Sequence, residues 1–167
     1  MSIYYDAVLW AVDKGVTKGT SATTFSPDLN CTRAQAVTFL WRAIGSPEPV
    51  SKTCPFTDVK PDSDYYKAIL WATEKGITEG TSATTFSPDV TVTRAQTVTL
   101  LWRAAGKPAQ TATQPFTDVK SGAYYESAVL WAVARGITEG TSATTFTPAN
   151  GCTRAQIVTF LYRYLGK

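Results

Sequence analysis

The chain has no histidine among its 167 residues and only three cysteines. Because histidine is the commonest general base and zinc ligand at neutral pH, its absence removes the usual route to both kinds of site. The cysteines show no CxxC spacing, so they do not predict a metal site either. We therefore expect neither a metal nor a cofactor.

Strong charge and long apolar runs are also missing. Lys and Arg total 16 against 13 Asp and Glu, for a net charge of +3, and no run of basic residues occurs. This composition does not favour binding to nucleic acid. No apolar stretch approaches the roughly 18–20 residues that span a membrane, and no signal peptide is visible. We expect a globular chain with no nucleic-acid partner and no membrane insertion.

The chain instead contains one sequence pattern in three copies. The string GTSATTF, followed by Ser or Thr and then Pro, occurs at Gly19–Pro27, Gly80–Pro88 and Gly140–Pro148. Each copy precedes a Thr-Arg-Ala-Gln motif, and its arginines are Arg33, Arg94 and Arg154. A unit of about 60 residues is marginal alone, so we expect the three repeats to share one core.

Each repeat is typical of a helix, a loop and a second helix, and no strand pattern competes. The first helices are predicted at about 4–14, 65–75 and 125–135, each ending at a glycine after a basic residue. The second helices begin at Thr-x-x-Gln, which is a capping box. The predicted fold class is all-α.

The repeats are predicted at 1–46, 54–107 and 115–167, joined by short linkers rich in Pro, Ala, Thr and Ser. Together they should form one compact unit. Pro-Phe-Thr-Asp-Val opens the second repeat at Pro55 and the third at Pro115, but the first repeat lacks this segment. We therefore expect the first repeat to be truncated at its N-terminal side.

Arg33 has an unusual position on its predicted helix. At 100° per residue it falls near Val37 and Leu40, on the side that should be packed. It also lies in the first turn, where the helix dipole disfavours a cation by roughly 0.3–1 kcal/mol. The polar face of the same helix carries Gln35, Thr38 and Arg42.

Two interpretations of the repeat arginines are open. The first is an ion pair between repeats, with Asp58 or Asp118 of the Phe-Thr-Asp-Val segments as the partner. The second is a guanidinium that points into a groove between repeats and binds a carboxylate bidentately. The two are compatible, and we favour the ligand role for at least two of the three arginines.

The first helices carry a tryptophan at equivalent positions, Trp10, Trp71 and Trp131. Each lies at the polar border of the apolar stripe, and a partly exposed indole is a good platform for the CH face of a sugar. The alternative is that each tryptophan covers the shared core. The hydroxyl-rich loops are similarly open to two interpretations, glycan binding or simple turn formation.

Cysteine placement suggests a Cys31–Cys54 disulfide. At the next junction between repeats both matching positions, Val92 and Gln114, are occupied by other residues, so the two cysteines are present together or absent together. Such a bond would indicate an extracellular compartment. Three reduced thiols are the alternative.

The ordered motifs resemble the S-layer homology repeat of Gram-positive bacteria, in three tandem copies that cover essentially the whole chain. They are Phe-Thr-Asp-Val, Tyr-Tyr-x-Ala-Ile-Leu-Trp-Ala, Lys-Gly-Ile-Thr-Glu-Gly, Thr-Phe-Ser-Pro and Thr-Arg-Ala-Gln. The resemblance implies a pseudo-threefold assembly with a central helical bundle and prongs separated by grooves. It also implies non-covalent attachment to a secondary cell wall polysaccharide, often through a pyruvylated N-acetylmannosamine. By matching position, Arg33, Arg94 and Arg154 would hold its carboxylate.

All three copies depart from the family at one position, where Gln replaces the usual Glu: Gln35, Gln96 and Gln156. Either residue satisfies the capping box, but the charge in the groove changes. The predicted ligand site therefore combines the repeat arginines and glutamines with the three tryptophans and the two aspartates.

We expect an extracellular anchoring module that binds an acidic, pyruvylated wall polysaccharide at several modest sites and gains affinity by multivalency. The alternative is a protein–protein assembly module of a surface layer, with self-association independent of glycan. A glycosidase would need two carboxylates facing each other across a cleft. The acidic residues lie mostly beside lysine at helix ends or in the Phe-Thr-Asp-Val turns, so we expect no catalysis.

Overall fold

The computed structural model describes residues 3–166, so the predicted repeat limits at residues 1 and 167 lie outside it. Within this range the chain forms helices and no sheet, which confirms the all-α prediction. The helices are α1 (Tyr5–Asp13), α2 (Arg33–Ala43), α3 (Tyr66–Glu74), α4 (Arg94–Ala104), α5 (Glu126–Ala134) and α6 (Arg154–Leu165). None of these is long and apolar enough to cross a membrane.

The predicted helix ends are confirmed in each repeat. The glycines that follow α1, α3 and α5 have φ angles of 70°, 70° and 68°, a left-handed conformation that stops a helix at low cost. At the start of α2, Thr32 Oγ1 accepts from Gln35 N at 3.1 Å, while Gln35 Oε1 accepts from Thr32 N at 3.0 Å. The same reciprocal capping box begins α4 and α6.

The repeats are interlocked rather than merely adjacent. Each first helix packs on the second helix of the preceding repeat, so α3 lies on α2 and α5 lies on α4. In the same way α1 lies on α6, which closes the chain of contacts into a ring. The second helices α2, α4 and α6 meet one another at the centre. This is the pseudo-threefold assembly with a central helical bundle that the resemblance to the S-layer homology repeat implies.

A ring of backbone hydrogen bonds joins the segments in front of the central helices. Cys31 N donates to Cys152 O at 2.9 Å, Cys152 N to Val92 O at 2.8 Å, and Val92 N to Cys31 O at 3.0 Å. Each repeat therefore gives one donor and one acceptor to this ring. The three side chains are buried where the repeats meet.

The predicted Cys31–Cys54 disulfide is not formed, and all three cysteines are free thiols. Cys31 is buried beside Cys152, whereas Cys54 is half-buried in the linker before Phe56. Burial raises the pKa of Cys31 to about 12 and that of Cys152 to about 11. Because the thiolate is the reactive form of cysteine, these two residues are inert packing residues at neutral pH.

Candidate functional site

The repeat arginines reach into the next repeat. Arg33 Nε donates to the carbonyl oxygen of Phe86 at 2.9 Å, and its guanidinium carbon lies 4.8 Å from the centre of the Phe86 ring. Arg33 is only 9% exposed, as its place on the packed side of the helix predicts. The equivalent hydrogen bonds, at 2.9 and 2.8 Å, are Arg94 to Phe146 and Arg154 to Phe25.

The amides at the start of the central helices are also used between repeats. Arg33 N donates to Val90 O at 2.8 Å and Ala34 N donates to Pro88 O at 3.0 Å, and the other two repeats show the same pair of bonds. A helix N-terminus often binds anions through such free amides. Here carbonyl groups of the neighbouring repeat occupy them, so these amides are not available to a ligand.

The aspartates of the Phe-Thr-Asp-Val segments bind backbone amides of the same loops whose carbonyl groups the arginines bind. Asp58 accepts from Phe86 N at 2.9 Å and from Ser87 N at 2.8 Å, and Asp118 makes the same two bonds with Phe146 and Thr147. The ion pair with Arg33, one of the two interpretations of the repeat arginines, is not formed; among residues 3–166 the only ion pair joins Lys67 to Glu48. Arginine and aspartate are linked instead through the peptide groups of Phe86, and Asp58 is a positioning residue outside the grooves.

Hydrogen bonding controls the ionisation of Asp58. Burial alone would raise its pKa, but the amides of Phe86 and Ser87, with Arg33 nearby, hold the pKa below its ordinary value of 3.8. A carboxyl group whose pKa is lowered in the folded state stabilises the fold above its unfolded pKa. That contribution is lost as the pH falls through the lowered value.

We expect Asp58→Asn to destabilise the protein at neutral pH by about 1–2 kcal/mol, or roughly 2–8 °C in melting temperature. The deficit should shrink as the pH falls from about 5 to 2, because the wild-type carboxylate becomes protonated. Thermal unfolding of both proteins, followed by circular dichroism across this pH range, tests the expected pH dependence. Asp89→Asn is the control, since Asp89 is exposed and accepts no hydrogen bond from residues 3–166. A pH-independent deficit for Asp58→Asn would contradict the expectation.

Two grooves open where the arginines cross between repeats. The first groove has a volume of about 390 Å³ and the second about 280 Å³. The first is lined by Arg33, residues 78–81, Phe86, Tyr124 and one face of α4: Gln96, Thr99, Leu100 and Arg103. The second is lined by Arg94, residues 138–141, Tyr4 and the matching face of α6: Gln156, Thr159, Phe160 and Arg163.

The arginine in each groove is fixed through one nitrogen and free at the others. Nε is bound to a loop carbonyl, but the Nη atoms of Arg33 and Arg94 have no acceptor within residues 3–166 and are not sealed from solvent. Burial lowers the pKa of both guanidinium groups, although arginine remains charged at any physiological pH. The result is a rigid donor fork at the groove wall. Arg154 differs, because its Nη2 also donates to Thr17 Oγ1 at 3.2 Å.

The glutamines contribute a second free donor. Gln96 Oε1 is engaged in the capping box, accepting from Thr93 N at 3.0 Å, and its Nε2 has no acceptor within residues 3–166. Arg103 adds another cation and donates through Nη1 to Ile77 O at 3.2 Å. The polar face of α2, formed by Gln35, Thr38 and Arg42, has equivalents on α4 and α6 that form the walls of the two grooves. Because this face recurs in all three repeats, the sequence could have indicated that Thr99, Arg103 and their equivalents belong to the site. The sequence analysis did not assign them to it.

The predicted tryptophan platforms are wrong for two of the three repeats. Trp71 is 4% exposed and Trp131 is 2% exposed, and neither lines a groove. Both are covered because α3 and α5 pack against the preceding repeat, which buries the polar border of the helix. Trp10 is half-buried, with its ring centre 5.8 Å from that of Tyr162, and it too lies outside the two grooves.

Comparison with known proteins agrees with this architecture. A family model described as the S-layer homology domain matches residues 1–37, 55–98 and 115–158. The chain belongs to the S-layer homology family. The three matched segments correspond to the three repeats, and each contains one of the arginines Arg33, Arg94 and Arg154.

Several relatives are surface proteins. The chain is 33% identical over 139 residues to the surface-layer 125 kDa protein of Lysinibacillus sphaericus, covering 83% of the chain and 12% of that protein. It is 33% identical over 138 residues to the middle cell wall protein of Brevibacillus brevis, covering 80% of the chain and 13% of that protein. An endoglucanase of Bacillus sp. strain KSM-635 is 39% identical to the chain over 116 residues, covering 70% of the chain and 12% of the endoglucanase.

This S-layer homology module is therefore a cell-surface anchoring module, located outside the cell at the surface or in the wall. The module spans only 12–13% of the length of these three relatives, one of which is an enzyme. The shared part is the non-catalytic anchoring domain.

Proposed function

We propose that this module anchors its protein by binding an acidic wall polysaccharide in the grooves between repeats, with a pyruvylated amino sugar as the recognised unit. The observation that carries the proposal is the arginine fork. Arg33 and Arg94 are each fixed through Nε and leave their Nη atoms in a groove. A ketal carboxylate would accept two parallel hydrogen bonds from such a fork, which is the geometry that arginine provides and lysine does not.

The remaining groove residues suit the rest of a sugar unit. In the first groove Gln96 Nε2 can donate to an N-acetyl or ring oxygen, and Thr78 and Thr81 line the same groove. A volume of about 390 Å³ lies at the lower end of the range for small-ligand sites. We infer that each groove holds a short stretch of polymer with modest affinity, and that several grooves on one chain reach useful avidity.

Calorimetric titration with wall polysaccharide from a pyruvylating Gram-positive bacterium, before and after mild-acid removal of the ketal, tests the proposal. Loss of binding with the pyruvate supports the arginine–carboxylate contact. Equal binding to both samples would overturn that contact. Absence of binding to either would overturn recognition of this polymer and favour a protein–protein assembly role.

The groove rims differ in charge, which allows a second test. Glu79 lines the first groove and Glu139 the second, whereas the matching residue of repeat 1 is Lys18. We expect Glu79→Lys to tighten binding of the acidic polysaccharide about 3- to 10-fold at low salt, with a smaller gain at high salt. Stability should not change, because Glu79 is exposed and makes no hydrogen bond within residues 3–166.

Asp89→Lys is the matched control for this change. It alters the net charge by the same amount, but Asp89 lines neither groove. Equal tightening by both variants would mean that overall charge, not the groove, determines affinity.

A further inference from the structure

The first groove has an exposed aromatic ring on its wall. Tyr124 lines this groove and is 59% exposed, in the turn directly ahead of α5. Aromatic side chains commonly line small-ligand sites, where they bind the apolar face of the ligand. The tryptophans expected to form such a platform lie outside both grooves. Tyr124 is an aromatic residue that occupies the place they do not.

The Tyr124 ring is braced but not covered. Its centre lies 5.0 Å from that of the Tyr125 ring, and the two ring planes stand at 89°. In such an edge-to-face pair at most one face of each ring is covered by its partner. No guanidinium of residues 3–166 lies over Tyr124, and that of Arg33 lies over the Phe86 ring instead. Tyr124 therefore keeps at least one free face.

The ring is also neutral beside two cations. Partial burial, with Tyr125 adding to it, raises the pKa of Tyr124 above its ordinary value of 10.0, and the positive charges of Arg103 and Arg33 offset this rise only in part. The phenol is therefore uncharged at physiological pH. It does not compete with an acidic ligand for the arginines of the groove.

The other repeats have different residues at this position. Tyr124 lies seven residues before the tryptophan of α5, and the residues seven before the tryptophans of α1 and α3 are Ile3 and Asp64. Ile3 lines the second groove as Tyr124 lines the first. The two grooves match in their arginines, glutamine and threonines. At this position, however, only the first groove presents an aromatic face.

We propose that Tyr124 is a specificity-determining residue of the first groove, where its ring packs on the apolar CH face of the bound sugar and makes this groove bind more tightly than the second. The inference rests on the proposed function, because its ligand is the sugar whose carboxylate Arg33 binds. Arg33 fixes the charged end of that sugar and Tyr124 covers its ring. The first groove thus selects for a patch of CH groups as well as for a charge.

Nuclear magnetic resonance titration measures the two grooves separately. The probe is the methyl glycoside of pyruvylated N-acetylmannosamine, which is monovalent, and the reporters are the amides of Gly80 in the first groove and Gly140 in the second. We expect Tyr124→Ala to weaken binding at Gly80 about 3- to 10-fold and to leave binding at Gly140 unchanged. Tyr5→Ala is the matched control, since Tyr5 is an exposed tyrosine that lines neither groove, and it should leave binding at Gly80 unchanged.

Two further variants isolate the ring itself. Tyr124→Phe removes the hydroxyl and keeps the ring, so its affinity should stay within about twofold of the wild type. Ile3→Tyr recreates ahead of Tyr4 the pair of tyrosines found at 124–125. It should tighten binding at Gly140 about 3- to 10-fold. No gain there would contradict the role of this position in setting the difference between the grooves.

The ketal-free glycoside separates failure of the inference from failure of the proposed function. Ketal-dependent shifts at Gly80 with equal affinity in the wild type and Tyr124→Ala would overturn the role of Tyr124 and leave the arginine contact in place. An equal loss of affinity in Tyr124→Ala and Tyr124→Phe would also overturn it, because the hydroxyl and not the ring would then make the contact. Absence of shifts at both glycines in the wild type would overturn the proposed function and the inference with it.

Discussion

Arg94→Ala is expected to destabilise the protein by about 2–3 kcal/mol, a large part of the 5–15 kcal/mol that holds a typical domain folded. Arg94 is 3% exposed and donates to the carbonyl of Phe146, which is itself 0% exposed. That carbonyl also accepts from Thr147 Oγ1 at 2.8 Å, so the loss of the bond from Arg94 costs about 0.5–1.5 kcal/mol and does not leave the carbonyl unpaired. Loss of the aliphatic stem and of the stacking on Phe146 and Phe160 adds about 1–2 kcal/mol. Urea unfolding followed by helical circular dichroism measures the loss.

Arg103→Ala is the matched control on the same helix. It removes the same charge and also breaks one bond to a backbone carbonyl, but Arg103 is only half-buried. We expect a loss of about 1 kcal/mol for this variant. Arg94→Lys should fall between the two, because an ammonium group cannot reproduce the planar fork. If Arg94→Ala were no worse than Arg103→Ala, the bond from Arg94 to Phe146 would not be a main link between repeats.

The second large effect is expected at a loop glycine. Gly140 has a φ of 82°, and an added Cβ would lie 2.5 Å from the Phe116 ring and 2.6 Å from the Thr145 carbonyl oxygen. A left-handed conformation costs an L-residue about 1–2 kcal/mol. Overpacking against a ring and a fixed backbone atom adds about 1–3 kcal/mol. We expect Gly140→Ala to destabilise by about 3–4 kcal/mol in urea unfolding.

Gly136→Ala isolates the conformational part of that cost. Gly136 has a φ of 68°, but an added Cβ would meet nothing within 4 Å. This variant should lose only about 1–2 kcal/mol. Equal losses at the two glycines would mean that the Phe116 contact moves aside freely and does not brace the loop.

The sequence allowed the helices to be predicted because their signals are local. Thr32 and Gln35 form a capping box within one turn, and Gly15 ends α1 whatever lies around it. The buried side of α2 also followed from helical periodicity, which correctly placed Arg33 on the packed face. The resemblance to a known repeat supplied the threefold arrangement, which no local signal contains.

The partners of the site residues could not be predicted, because they are distant in sequence. Arg33 and its acceptor Phe86 are separated by 53 residues and lie in different repeats. A charged pair with Asp58 was one of the two interpretations of the sequence, but the peptide group that joins Phe86 to Ser87 lies between the two side chains and bonds to both. Trp71 was misplaced for the same reason, since a helical wheel shows only one helix and the neighbour that buries Trp71 belongs to another repeat.

The closing hydrogen bond from Arg154 to Phe25 restricts how such a protein can evolve. In an open array of repeats, a gene duplication or deletion adds or removes one unit and the ends adjust. Here every unit donates to one neighbour and accepts from the other, so losing or gaining one leaves an arginine and a carbonyl without partners at the seam. We expect the inherited unit to be the triplet, and copy number in related genes to change by three repeats at a time.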